Sequence, residues 1–167
     1  MIIGNFIKGI ESKHRNHYFS DISFNSSKCK KNNIFFAIKG IKINGNKFIK
    51  HAIQNGANTI ISNQKFEGIK KNVLFIKSSN VRKSLSEFAY SIYKNKPKNI
   101  IAVTGTNGKS SIVDFYFQIL KLNKKKVASV GTLGIKTQNY IKKVSNTTID
   151  PITLSIALNK IKKKKIN

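Results

Sequence analysis

The run Gly105-Thr106-Asn107-Gly108-Lys109-Ser110-Ser111 concentrates residue types that bind phosphate. Glycine lets a chain turn sharply and brings backbone N–H groups close to an anion. A lysine at the end of such a run reaches outer phosphates, and a hydroxyl directly after it is placed to ligate Mg²⁺. The chemistry implied is the holding of a polyphosphate, with Lys109 as the mobile positive charge. General phosphate-loop spacing would put another glycine at position 103, where Val103 stands, so the match is to a variant loop. The alternative is a Gly-rich strand-to-helix turn that happens to carry an exposed lysine. The order of strand, loop, Lys-Ser and helix favours the phosphate cradle.

Such a loop needs a strand before it and a helix after it. Residues 100–103 (IIAV) are short, apolar and β-branched, as expected of a buried parallel strand. From Lys109 onward, Ile112, Phe115, Tyr116, Ile119 and Leu120 recur at steps of three and four, predicting one apolar helix face. Upstream, 34–38 (IFFAI), 59–61 and 73–76 read as strands. Phe48, Ile49, Ala52 and Ile53 make a short helix face ended by Gly56. Asn80 is placed to cap a helix that carries Val81, Leu85, Phe88, Ala89 and Ile92 on one side. Lys96-Pro97-Lys98 breaks the pattern and predicts a boundary between domains 1–97 and 98–167. Beyond the loop helix, 127–130 predicts a strand ending near Gly131 and Gly134. A polar stretch follows, then a last helix from Ile152 bearing Leu154, Ile156, Ala157, Leu158 and Ile161. The fold class expected is α/β. The second domain reads as unfinished, because a nucleotide-binding α/β sheet needs more strands than residues 98–167 supply.

Composition narrows the setting. The chain of 167 residues is 40% hydrophobic, enough for a core, and holds no run of about 18 apolar residues for a membrane span. Residues 1–13 lack a signal-peptide layout, and Cys29 is the single cysteine, so a cytoplasmic setting without an internal disulfide is expected. The net charge of +26 invites a nucleic-acid reading. Against it, all the basic residues but Arg15 and Arg82 are Lys, whereas readers of bases and phosphates lean on arginine forks. Lys, Asn and Ile, all with AT-rich codons, are abundant together, which points to genome composition. Salt-sensitive sticking to polyanions follows from the charge either way. His14, His17 and His51 lack acidic neighbours at metal-ligand spacing and are expected to pack or face solvent.

Four blocks, in order, resemble the Mur ligase family. NSSKCKKNNIFFAIKG at 25–40 resembles its D-S-R block followed by G-D-L-F-V-A-L-x-G. NGNKFIKHAIQNGANTIIS at 44–62 resembles D-G-x-x-F-I-x-x-A-I-x-x-G-A-x-x-I-I. VTGTNGKSS resembles V-T-G-T-N-G-K-T-T, and VGTLG with NTTIDP resembles the G-T-L-G and N-T-T-P-D-P blocks. The resemblance covers nearly the whole chain, and the blocks at 25–62 with NTT point to the tripeptide synthetase branch. It implies a small N-terminal Mur ligase α/β domain followed by the start of a P-loop-type central ATPase domain.

The implied activity is ATP-dependent amide formation in peptidoglycan synthesis. The third amino acid, meso-diaminopimelate or L-lysine, would be added to UDP-MurNAc-L-Ala-D-Glu through an acyl phosphate. By the resemblance, Gly105, Thr106, Asn107, Gly108, Lys109, Ser110 and Ser111 bind ATP, Lys109 is catalytic and Ser110 ligates Mg²⁺. Phe24, Ser26 and the backbone of Ile41, Lys42 and Ile43 contact the uridine nucleotide. Asn146, Thr147 and Thr148 hold the muramoyl-dipeptide. Asn25, Ser27, Asn44, Ile149 and Ser110 stand where the family has Asp, Arg, Asp, Pro and Thr. The family's Glu-containing M-E-V-S-S-H block, its carbamylated Lys and its amino-acid-binding domain would fall beyond residue 167. The expectation is therefore a truncated and inactive chain, with slippage in a coding run at Lys162 to Lys165 as the cause and a C-terminal chain as the partner that would complement it. The competing expectations are a non-catalytic nucleotide-binding remnant and a Lys-rich polyanion binder.

Overall fold

The computed structural model describes residues 1–40, 43–142 and 149–166. It divides into two compact units, Met1–Ser91 and Ile92–Asn167.

The first unit is built on a five-stranded sheet of order β1-β2-β3-β5-β4. Its strands are β1 (Ile22–Ser23), β2 (Asn33–Phe36), β3 (Ala57–Ser62), β4 (Gly68–Lys70) and β5 (Val73–Lys77). β1, β2, β3 and β5 run parallel, and only the edge strand β4 is antiparallel. Ile34, Phe35, Phe36, Ile60 and Ile61 are each at most 1% exposed, so the central strands are covered on both faces. That explains their unbroken apolar sequence. On one face Phe35, Ala37, Ile60 and Val73 pack with Ile49 and Ala52 of α1 (Ile49–Gln54). On the other, Phe36 meets Phe88 of α2 (Val81–Ile92) edge-on at 5.3 Å, and Phe6 stacks on Phe88 at 5.4 Å. As the sequence predicts, Asn80 caps α2, its side-chain oxygen accepting from Lys83 N at 2.9 Å.

The expected strand at 34–38 is shorter, and two strands were not expected at all. β1 is two residues long. β4 joins β5 through Lys71 and Asn72, at φ +50° and +61°. A two-residue hairpin with both central residues left-handed is a type I′ turn, usually signalled by Asn-Gly. Lys-Asn hides that signal.

The second unit departs further from expectation. Residues 100–103 form no strand; Ile100 and Ile101 are 55% and 65% exposed. A parallel strand is stabilised by neighbours on its edges, and among the described residues none pairs with this segment. The helix does form, as α3 (Lys109–Leu122), but the predicted face is not the buried one. Ile112, Phe115, Tyr116 and Ile119 are exposed, and Phe117 is the buried residue. The sheet here is antiparallel: β6 (Ala128–Gly131), β7 (Gly134–Thr137) and β8 (Ile141–Lys142), in that order. β7 and β8 lie in the stretch that reads as polar. α4 (Pro151–Lys163) packs Ala157 and Ile161 against Ile135. No helix among the described residues is long and apolar enough to cross a membrane.

Candidate functional site

Residues 104–111 are all exposed and lead into the first turn of α3. Gly105 lies at φ +150° and Gly108 at φ +75°, conformations that side-chain-bearing residues rarely adopt. The first α3 hydrogen bond runs from Ile112 N to Gly108 O at 3.0 Å. The amides of Lys109, Ser110 and Ser111 therefore lie at the open N-terminal end of a helix, where the helix dipole favours an anion. The Lys109 side chain folds back over the loop, its ammonium donating to Gly105 O and, at 3.0 Å, to Thr106 O. These weak carbonyl partners are of the kind that phosphate oxygens replace.

Ser110 Oγ lies 3.2 Å from Thr132 Oγ1, in the turn between β6 and β7. The two hydroxyls share an open cavity of about 250 Å³ with Lys109, Asp114, Lys136 and Ile149. Asp114, one turn along α3 from Ser110, accepts from Lys136 Nζ at 2.6 Å and from Gln118. These donors, Lys136 foremost, hold its carboxyl below the usual carboxylate range. Lys136 also lies over the Phe117 ring at 4.7 Å, which locks β7 to α3.

The donors fit Mg²⁺ in one way only. Among the described residues no three His, Cys, Asp or Glu side chains cluster. Mg²⁺ does not require such a cage; it commonly keeps several waters and binds through one or two protein oxygens plus phosphate oxygens. Ser110 Oγ, with Thr132 Oγ1 beside it, fits that limited role.

The residues expected to contact uridine belong to the first unit. β1 and β2 are adjacent and parallel, paired Ile22 to Ile34 and Ser23 to Phe35. The segments leaving their C-terminal ends, at 24–28 and 37–40, therefore emerge at the same edge of the sheet, where open α/β folds bind ligands. Phe24 is 40% and Ile43 57% exposed there, and Ser26 is buried. Gly40 N donates to Ile43 O at 2.9 Å, and Asn46 Nδ2 ties the second segment to Asn63 Oδ1 past β3 at 2.9 Å.

Two family models match the chain: the Mur ligase family catalytic domain over residues 19–98 and the Mur ligase middle domain over residues 103–167. The chain belongs to the Mur ligase family. A relative from Fusobacterium nucleatum, named UDP-N-acetylmuramoyl-L-alanyl-D-glutamate--2,6-diaminopimelate ligase, is 34% identical over 97% of this chain and 34% of its own length. A relative of the same name from Rickettsia prowazekii is 38% identical over 81% of this chain and 29% of its own. The solved structure of a ligase of that name superposes with a TM-score of 0.77 at 25% identity, over 99% of this chain and 34% of that one. A MurF ligase from Thermotoga maritima in complex with ADP shares the fold, with a TM-score of 0.52 at 23% identity. This Mur ligase chain thus spans about a third of the length of the relatives it matches.

Of the candidate residues in this Mur ligase chain, the structure brings Gly105 to Ser111 together in one loop. It places Phe24 and Ser26 on one turn, with Ile43 on the segment that leaves the neighbouring strand. Ile41, Lys42, Asn146, Thr147 and Thr148 lie outside the described residues. Two departures from the family pattern find a structural role. Asn25 Oδ1 accepts from Ser27 N at 3.0 Å, and Asn44 Oδ1 accepts from Asn46 N at 3.1 Å. An amide oxygen caps these short turns as a carboxylate would, so the charge is lost and the turn kept. Sequence reading missed His51, Asn55 and Thr132. His51 Nδ1 lies 3.0 Å from Ser26 Oγ and Asn55 Nδ2 donates to Ser26 O at 2.9 Å. Their partners are 22 to 29 residues away in sequence, a separation at which no local spacing gives a signal.

Proposed function

We propose that this chain carries the uridine-nucleotide site and the ATP phosphate loop of an ATP-dependent amide ligase of peptidoglycan synthesis. Its substrate is UDP-MurNAc-L-Ala-D-Glu, and the amino acid added is 2,6-diaminopimelate, the one named for the relatives above. The observation that carries the proposal is the loop at Gly105 to Ser111. Two glycines hold it in left-handed conformations at the open end of α3, with Lys109 poised over it. The central P-loop-type ATPase assignment, the division near residues 97 and 98, and the cytoplasmic setting belong to this proposal. So does the binding role of Phe24, Ser26, Ile41, Lys42 and Ile43 toward uridine, and of Asn146, Thr147 and Thr148 toward the muramoyl-dipeptide.

In such a reaction the γ-phosphoryl of ATP passes to the substrate carboxylate, and the incoming amine displaces phosphate to form the amide. Bound Mg²⁺ would supply charge neutralisation across the phosphates. This chain's share is positioning and electrostatics. The amides at the start of α3 orient the phosphate chain. Lys109 exchanges its two carbonyl partners for phosphate oxygens and offsets the charge that develops on the transferred group. Ser110 would hold the metal, with Thr132 fixing its hydroxyl.

Isothermal calorimetry with Mg-ATP tests this. A hydrogen bond to a charged group contributes about 1.5–3 kcal/mol, so Lys109→Ala is expected to weaken binding by roughly tenfold to a hundredfold. Unchanged affinity would remove the phosphate-cradle reading. The charge of +26 supports one other reading, polyanion binding. That reading requires DNA affinity that falls steeply with salt and is insensitive to Lys109→Ala.

A further inference from the structure

Ser26 is 7% exposed and sits at the start of the short turn Ser26–Lys28, after β1. Two side chains from α1 and its C-terminus close on it. Asn55 Nδ2 donates to Ser26 O at 2.9 Å and lies 3.3 Å from His51 Nε2. His51 Nδ1 lies 3.0 Å from Ser26 Oγ.

With His51 neutral, these contacts assign the donor and acceptor roles as follows. Ser26 O is a carbonyl and only accepts, so the Asn55 amide must present its NH₂ and not its oxygen. That NH₂ carries two hydrogens. One goes to Ser26 O, and the other faces His51 Nε2, which must therefore be the unprotonated, accepting nitrogen. In neutral imidazole the remaining nitrogen then carries the hydrogen, so Nδ1 donates to Ser26 Oγ. The Ser26 hydroxyl, with an acceptor position filled by His51, keeps its own hydrogen to give away. Among the described residues it meets no acceptor.

We propose that Asn55 and His51 form a relay that sets Ser26 as a hydrogen-bond donor to the nucleotide. It would select an acceptor, a carbonyl oxygen of the pyrimidine base, at that point. His51 and Asn55 are positioning residues: they act through Ser26. This rests on the uridine reading above, because it assumes that the edge of the sheet bearing Phe24, Ser26 and Ile43 receives the base.

The relay has a signature independent of any ligand. In the full chain, ¹⁵N NMR of the His51 ring should show a protonated Nδ1 and an unprotonated Nε2. Free imidazole side chains favour the opposite tautomer, so Asn55→Leu should shift His51 toward protonated Nε2. The probe for function is uridine 5′-diphosphate, titrated by calorimetry. Loss of one neutral hydrogen bond predicts affinity about threefold to tenfold weaker for Asn55→Leu and for His51→Ala. His51→Asn, whose amide NH₂ takes the place of Nδ1–H, should recover most of it. Mg-ATP affinity should not change in any of the three. A protonated Nε2 in the unmodified chain would overturn the relay, as would variants that bind uridine diphosphate like the parent. An unmodified chain that binds no uridine diphosphate would overturn the uridine reading and this inference together.

Discussion

Gly108 shows what a single residue contributes to the loop. A Cβ added there would meet nothing within 4 Å, so space does not demand glycine. The demand is conformational: φ is +75° at the residue that caps the start of α3. A left-handed residue with a side chain costs about 1–2 kcal/mol. Gly108→Ala should lower the unfolding free energy of the second unit by that amount in urea titration, and should weaken Mg-ATP binding as the α3 amides shift. Lys109 was legible for a related reason. Loop, Lys and hydroxyl are contiguous, so their chemistry is written in spacing alone. Ser26 stood out as a candidate only by resemblance, and His51 and Asn55 not at all, because α1 and its C-terminus bring them across the fold. Asn25 and Asn44 read as losses of charge, yet each keeps the one oxygen its turn requires.

At the scale of elements, caps and burial decide what forms. Asp150 begins α4: Oδ1 accepts from Ile152 N at 3.0 Å and Thr153 N at 2.9 Å, and Pro151 fills the first helical position. Asp150→Ala should cost about 1 kcal/mol, measured as a shift in the urea midpoint, and Asp150→Ser should retain most of the stability. His17, half-buried next to the Ile2–Tyr18 bridge, gives a pH dependence. Burial first of all pushes its imidazole below the ordinary 6.5, against hydrogen bonds to Asn58 that raise it, and Nε2 has no partner. The folded state thus binds this proton less readily than the unfolded chain. The stability this provides is complete above about pH 6.5 and is lost as pH falls through the lower folded value. Thermal midpoints measured from about pH 8 down to pH 5 should fall less for His17→Leu than for the parent; parallel curves would contradict the assignment. Elements buried on both sides, β2, β3 and β5, were legible from apolar runs, as was α2 from its cap and period. Periodicity located α3 and its apolar face, but it reports which side is apolar and not which side is covered. The segment at 100–103 has strand composition, but no neighbour among the described residues supplies the hydrogen bonds of a sheet. β7 spans only Gly134–Thr137 and β8 only Ile141–Lys142, too short for an alternating pattern to show.

Over the whole molecule, the two candidate sites fall in two separate units. Met1–Ser91 has the parallel sheet whose edge gathers Phe24, Ser26 and Ile43, and Ile92–Asn167 has the phosphate loop. Membership of the Mur ligase family links them, since its two domain models fall on the two halves in turn. The surface charge of +26 is a further property of the whole; it predicts weak, salt-dependent attraction of any polyanion and must be separated from site binding by salt. The most direct measurement is an amide ¹H–¹⁵N NMR titration of the intact chain at about 0.3 M salt, where such attraction is strongly screened. Mg-ATP and UDP-MurNAc-L-Ala-D-Glu would be added in turn. The account predicts that Mg-ATP shifts the amides of residues 104–111 and Thr132, and that the uridine substrate shifts those of residues 24–27 and Ile43, as two separate sets. Shifts scattered over lysine-rich surfaces for both ligands, or none in either set, would contradict it.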